Sequence, residues 1–84
     1  MGAYNRNLSL TTAITPLAIP APQLKAVKNH RFAVSGGNVT ITYTIGTQSF
    51  PIIAVPGQHV LEMTDIDSMT FTSASTSNLT YLGD

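Results

Sequence analysis

The sequence predicts an all-β fold: a small antiparallel β-sandwich or barrel of six to seven short strands with an extended N-terminal arm. Three observations predict it. Val39, Ile41, Tyr43 and Ile45 alternate without a slip with Thr40, Thr42 and Thr44, the period-two pattern of a strand with one buried face. Turn-forming residues recur between short apolar runs, at Gly36-Gly37-Asn38, Gly46-Thr47 and Pro56-Gly57. No segment sustains helical spacing.

Taken in order, residues 1–23 read as an arm and residues 24–84 as a single β-domain. Within the arm, Leu8, Leu10 and Thr12 alternate with Ser9 and Thr11, which suits a short strand over residues 7–14. Pro16, Pro20 and Pro22 then arrive in quick succession, each fixing φ and lacking an N–H, so this stretch is extended rather than a helix or a central strand. Its Ile, Leu and Ala residues are too apolar for a free linker, so they lie on something: the chain's own sheet or a neighbour.

Residues 24–35 are the one place where helix and strand compete. Leu24, Val27 and Lys28 have helical spacing, but His30, Phe32 and Val34 share one strand face, and a strand is expected over residues 25–35. The glycines at 36 and 37 fold it back onto Val39–Ile45. Residues 48–55 follow, with apolar side chains on both faces, implying burial on both sides, although Pro51 favours an edge or a bulge. Further strands are expected over residues 59–64, 69–73 and 79–82, with Ile66 tucked inward from the turn between the first two.

Composition narrows the function classes. A chain of 84 residues is small enough to need help with stability, and with no cysteine it has neither disulfides nor thiolate zinc sites. Association with other chains, as a homo-oligomer, is the remaining aid. Only 10% of residues are charged, against roughly 25% in an ordinary soluble domain. Net charge is zero, which argues against nucleic acid as a partner. No apolar run approaches the roughly 20 residues of a spanning helix, so no membrane partner is expected, and the first residues do not read as a secretory signal. The charges are segregated: Arg6, Lys25, Lys28 and Arg31 precede a charge-free block, and Glu62, Asp65, Asp67 and Asp84 follow it. Such an arrangement suits basic-to-acidic contacts between subunits.

No catalytic constellation is visible, and no cofactor or metal is expected. His30 and His59 lack a marked nucleophile or orienting group and read as surface or interface residues. Asp65 and Asp67 lack the further ligands of a calcium loop and read as turn residues. Gly36-Gly37-Asn38 opens a strand, not a helix, so it is no phosphate loop. The aromatics lack the basic neighbours of a base-stacking platform, and Tyr43 and Phe71 fall in the apolar phase of their strands.

Three features together carry a resemblance: the proline-punctuated apolar arm from Leu8 to Pro22, the Thr-rich charge-poor core, and the closing run Asp65-Ile-Asp-Ser-Met-Thr-Phe-Thr-Ser-Ala-Ser-Thr-Ser-Asn-Leu-Thr-Tyr-Leu. The chain resembles small auxiliary proteins of tailed-bacteriophage virions, especially capsid cement or decoration proteins. The resemblance implies a virion protein that binds a lattice of major capsid protein, or another virion protein, commonly as a trimer. Candidate subunit contacts are Leu8, Leu10, Ile14, Leu17 and Ile19 on the arm and Thr40, Thr42 and Thr44 on the central strand. Deleting residues 1–22 is then expected to weaken assembly while leaving the β-core folded. A fibre, tail or baseplate subunit is the alternative within the same class. A carbohydrate-binding sandwich is the alternative outside it, and would place Tyr4 or Tyr81 along a groove.

Overall fold

Two four-stranded antiparallel sheets face one another in the computed structural model, which describes residues 4–11 and 13–84. The strands are β1 (Tyr4–Leu10), β2 (Thr15–Pro16), β3 (Asn29–Ser35), β4 (Val39–Ile45), β5 (Gln48–Ala54), β6 (Gly57–Glu62), β7 (Ser68–Ser73) and β8 (Ser77–Gly83), with one short helix, α1 (Ala21–Ala26). The first sheet runs β1-β8-β3-β6 and the second β2-β7-β4-β5. The all-β expectation holds, and the architecture is a sandwich rather than a closed barrel.

Alternation is clearest in β3, β7 and β8. Phe32, Val34, Leu79 and Tyr81 project inward from the first sheet, and Val39, Ile41, Ala54, Met69 and Phe71 from the second, all buried. The ring edge of Phe32 meets Phe71 across the gap, with centroids 6.3 Å apart. The β4–β5 hairpin turns on Gly46, at φ 63°, followed by Thr47 at negative φ, the combination of a type II′ turn.

Four connecting residues complete the core: Leu17, Ile19, Leu24 and Ile66, all buried. Ile66 lies inward as its sequence context implies. The strand expected over residues 25–35 begins only at Asn29, because α1 takes Lys25 and Ala26, and the extended Val27, with Lys28, links the two. Pro22 sits in the first turn of α1, where its missing N–H costs no helical bond, and Leu24 becomes the helix's buried residue.

The N-terminal segment is not a separable arm. All seven residues of β1 pair with β8, from Tyr4 opposite Gly83 to Leu10 opposite Ser77. Leu10, Leu17 and Ile19 are enclosed by this chain's own core, and Leu8 packs against it half-buried, so of the arm's candidate contacts only Ile14 remains exposed. The division into residues 1–23 and 24–84 therefore gives way to one domain. The physical reason is that the facing sheets leave a side that these side chains close together with Leu24 and Ile66. Residues 1–3 of the expected arm and Thr12, expected in its apolar phase, lie outside the described residues.

One further expectation changes. β5 is not buried on both faces: it is an edge strand, with Ile53 70% exposed and Val55, just past its end, 52% exposed. The accessible surface, 4773 Å², matches the roughly 4,800 Å² of a compact monomer of this mass.

Truncation to residue 23 removes two edge strands, β1 and β2, and three core side chains. The truncated chain should lose its cooperative thermal transition, as read by circular dichroism and calorimetry. Retention of that transition would restore the arm description.

A close approach at Gly83 gives a second expectation. A Cβ there would overlap the Tyr81 hydroxyl and lie 2.9 Å from its Cζ. Gly83→Ala should destabilise the domain by about 1–3 kcal/mol in urea titrations, the usual cost of overpacking.

Candidate functional site

Buried polar side chains fall into two groups, Ser73 with Ser77 at 2.8 Å and His30 with Tyr81. His30 belongs to the same strand phase as Phe32 and Val34, and it is fully buried rather than a surface or interface residue. Its Nε2 lies 3.0 Å from the Met63 carbonyl, which only accepts, so Nε2 carries the proton. Its Nδ1 is then the acceptor for the Tyr81 hydroxyl at 2.7 Å. Burial pushes the His30 pKa below its ordinary value, against the raising influence of the Met63 carbonyl. Burial, and secondarily the Asp84 charge, pushes the Tyr81 hydroxyl up to about 12. The pair is thus a neutral structural link between β3, β8 and the end of β6, enclosed away from any substrate. The sequence signal for it was present: His30 is in step with the two apolar residues that follow.

His59 is half-buried at the sheet edge, its Nε2 2.6 Å from the Val55 carbonyl that it bonds as a donor. Asp67 does not simply cap its own turn. One carboxylate oxygen accepts the Gly46 N–H at 2.7 Å, and the other meets Lys25 at 3.0 Å. These contacts tie the β4–β5 hairpin and α1 to the loop before β7, and they hold the Asp67 carboxyl below its usual range, the Gly46 bond being the larger cause. Asp65 takes positive φ (65°), a conformation that Asp tolerates better than most residues. Among the described residues no group of three or more His, Asp or Glu side chains is placed to hold a metal ion.

Two hollows mark the surface. One, of about 260 Å³, lies on the outer face of the first sheet, where the small Ala33 sits between Gln58 and Thr80, beside the row Val60–Arg31–Leu82. The other, of about 350 Å³, opens between the sheets beside β5 and β6 and is lined by Phe32, Ile41, Ile52 and Leu61 with His59 at its rim. Neither is lined by a tyrosine: Tyr81 is in the core, and Tyr4 packs against it half-buried. Neither hollow is therefore the Tyr4- or Tyr81-lined groove that a carbohydrate-binding sandwich is expected to carry.

The outer face of the second sheet differs from the rest of the surface. Thr40, Thr42 and Thr44 are half-exposed there, each flanked by a cross-strand neighbour from β5 and β7. Successive rows read Ile53–Thr40–Thr72, Pro51–Thr42–Thr70 and Ser49–Thr44–Ser68. No strand of this sheet carries a charged residue. Ile53 stands 70% exposed on one edge strand, and Ile14, 69% exposed, immediately precedes the other. The sequence made the threonine stripe visible but not its neighbours, which come from distant segments.

No family model matches the chain, and neither a curated protein nor a solved structure matches it.

The buried histidine predicts a pH dependence. Because its folded-state pKa lies below the ordinary 6.5, its contribution to stability is complete above 6.5 and is lost as pH falls from there toward the depressed value. The melting temperature should fall from pH 7 to pH 5, with a limiting slope of about 1.4 kcal/mol per pH unit. His30→Gln keeps a donor and an acceptor without titrating, and should flatten that part of the profile in parallel melts.

Proposed function

We propose that this protein is a non-enzymatic structural module that packs against protein subunits of a larger assembly through the outer face of its second sheet. The single observation that carries the reading is that face: uncharged, lined by threonine, and bordered by exposed Ile53 and Ile14. Burying a charge in a protein contact costs several kcal/mol unless it is paired, whereas threonine hydroxyls accept and donate locally and expose a methyl group for packing. A face without charge therefore enters an interface at small desolvation cost. Seven of the eight charged residues lie on the first sheet, the helix or the connections, and the eighth, Asp84, follows β8.

The likeness to capsid cement proteins supplies the setting: a virion, with the major capsid protein as lattice. A fibre, tail or baseplate position would use the same surface chemistry on a different partner. The segment from Leu8 to Ile19 contributes indirectly, by completing the core beneath the sheets, and Ile14 is its one exposed apolar contact residue.

Magnitude decides how such a face works. Four short strands at sheet spacing cover roughly 400 Å², about half of the ~800 Å² per partner in a standard interface. One copy alone binds weakly, and firm attachment comes from many copies or several contacts on one lattice.

The experiment is cosedimentation with assembled shells of a tailed-phage major capsid protein. The unaltered chain should pellet with the shells, and Ile53→Lys should reduce the bound fraction at least about tenfold by placing an unpaired charge in the contact. Ile53 is exposed, so this change leaves the fold intact. Failure of the unaltered chain to bind, or equal binding by the variant, would overturn the reading.

A further inference from the structure

Every open sheet must deal with its edges, because an unpaired strand presents free N–H and C=O groups to any incoming strand. This sandwich has four edges: β1 and β6 in the first sheet, β2 and β5 in the second. β2 is two residues long. The other three are distinguished by which backbone groups point outward, and antiparallel pairing alternates that direction residue by residue.

On β5 the two-residue hairpin closes at Ile45 opposite Gln48, so Gln48, Phe50, Ile52 and Ala54 face β4. Ser49, Pro51 and Ile53 face out, and Pro51 places its missing N–H in the middle of the free edge. On β1 the reciprocal bonds between Asn29 and Asp84 set the phase of β8, leaving Asn5, Asn7 and Ser9 outward. The Arg6 guanidinium donates to the outward Asn5 carbonyl at 2.8 Å and occupies it. Both edges are guarded.

β6 is not. The Met63 N–H bonds the Lys28 carbonyl at 3.1 Å, which turns Leu61, His59 and Gly57 toward β3 and Gln58, Val60 and Glu62 outward. All three are exposed, Val60 by 58%. The strand has no proline, and its one charge stands at its last residue.

We propose that the β6 edge pairs with β6 of a second copy of this chain, antiparallel about a two-fold axis at Val60, joining two first sheets into one of eight strands. This register is the one that uses all three outward residues of each copy. It sets Val60 opposite Val60 of the second copy and Gln58 opposite its Glu62, so a side-chain amide meets a carboxylate on each side of the axis. No like charges face one another, and about six main-chain hydrogen bonds form. A register shifted toward the strand's end would bring the two Glu62 carboxylates together. The edge is thus self-complementary, which favours a second copy over an unrelated strand. The inference does not rest on the proposed function, because it uses the other sheet and leaves the threonine face free on both copies.

Sedimentation equilibrium of the unaltered chain at concentrations up to about 1 mM tests it. A reversible monomer–dimer equilibrium is expected. Val60→Pro removes only an outward N–H and should leave a monomer with unchanged circular dichroism. If that variant fails to fold, the register is read from Gln58: Gln58→Glu should weaken dimerisation about tenfold through two facing acid pairs, and Gln58→Lys should strengthen it. A monomer at every concentration overturns the proposal, as does a dimer indifferent to both Gln58 changes, or strand capture of another protein by a chain that stays monomeric alone. Lattice binding by Ile53→Lys is a separate readout, so the two ideas fail independently.

Discussion

The hydrogen bond from the Tyr81 hydroxyl to His30 is the interaction on which the interior is arranged. Tyr81 is the largest fully buried side chain, on the strand that pairs with both β1 and β3. A phenol buried there without a partner would cost about 1–3 kcal/mol in desolvation. His30 supplies the acceptor, and Met63 satisfies the second ring nitrogen. The tautomer, the glycine at 83 and the path of the chain out of β6 all follow from fitting that ring and meeting its polar end. Phe32, 5.5 Å from the tyrosine ring and edge-on to Phe71, carries the packing across to the second sheet.

Around that centre, a short chain closes its core with its connections. Two four-stranded sheets bury one face each, but their open sides would remain wet. Leu17, Ile19 and Leu24 from the first long connection, and Ile66 from the loop before β7, supply the cover. The prolines help rather than hinder, since they hold the connection extended until α1 and place a rigid residue in that helix's first turn. Asp67 then fastens this layer to the β4–β5 hairpin through Gly46 and Lys25. The outcome is a molecule whose charges lie outside one sheet, and whose uncharged sheet presents threonine and isoleucine.

The edges show how nearby positions divide between protection and exposure. Pro51 and Arg6 each guard a strand by acting on an outward backbone group, one by lacking a donor and the other by filling an acceptor. The β6 edge has neither device: its outward residues Gln58, Val60 and Glu62 are exposed and include no proline.

Local alternation made β4 and β7 legible from residues alone, since a period of two with turns on either side needs no partner to be recognised. Pro51 likewise pointed to an edge or a bulge, against the apolar residues that implied burial on both faces, and the His30–Phe32–Val34 phase contained the buried histidine, although imidazole chemistry made a surface position the natural expectation. Tertiary structure decided what adjacency in sequence does not encode. It made the segment from Leu8 to Ile19 part of the core because the sheets' open side offered apolar area to bury. It exposed Ile53 by leaving β5 without an outer neighbour, and it opposed β1 to β8 across the whole length of the chain. Alternation states that a strand has two faces; only the packing of distant strands assigns each face to core, solvent or partner.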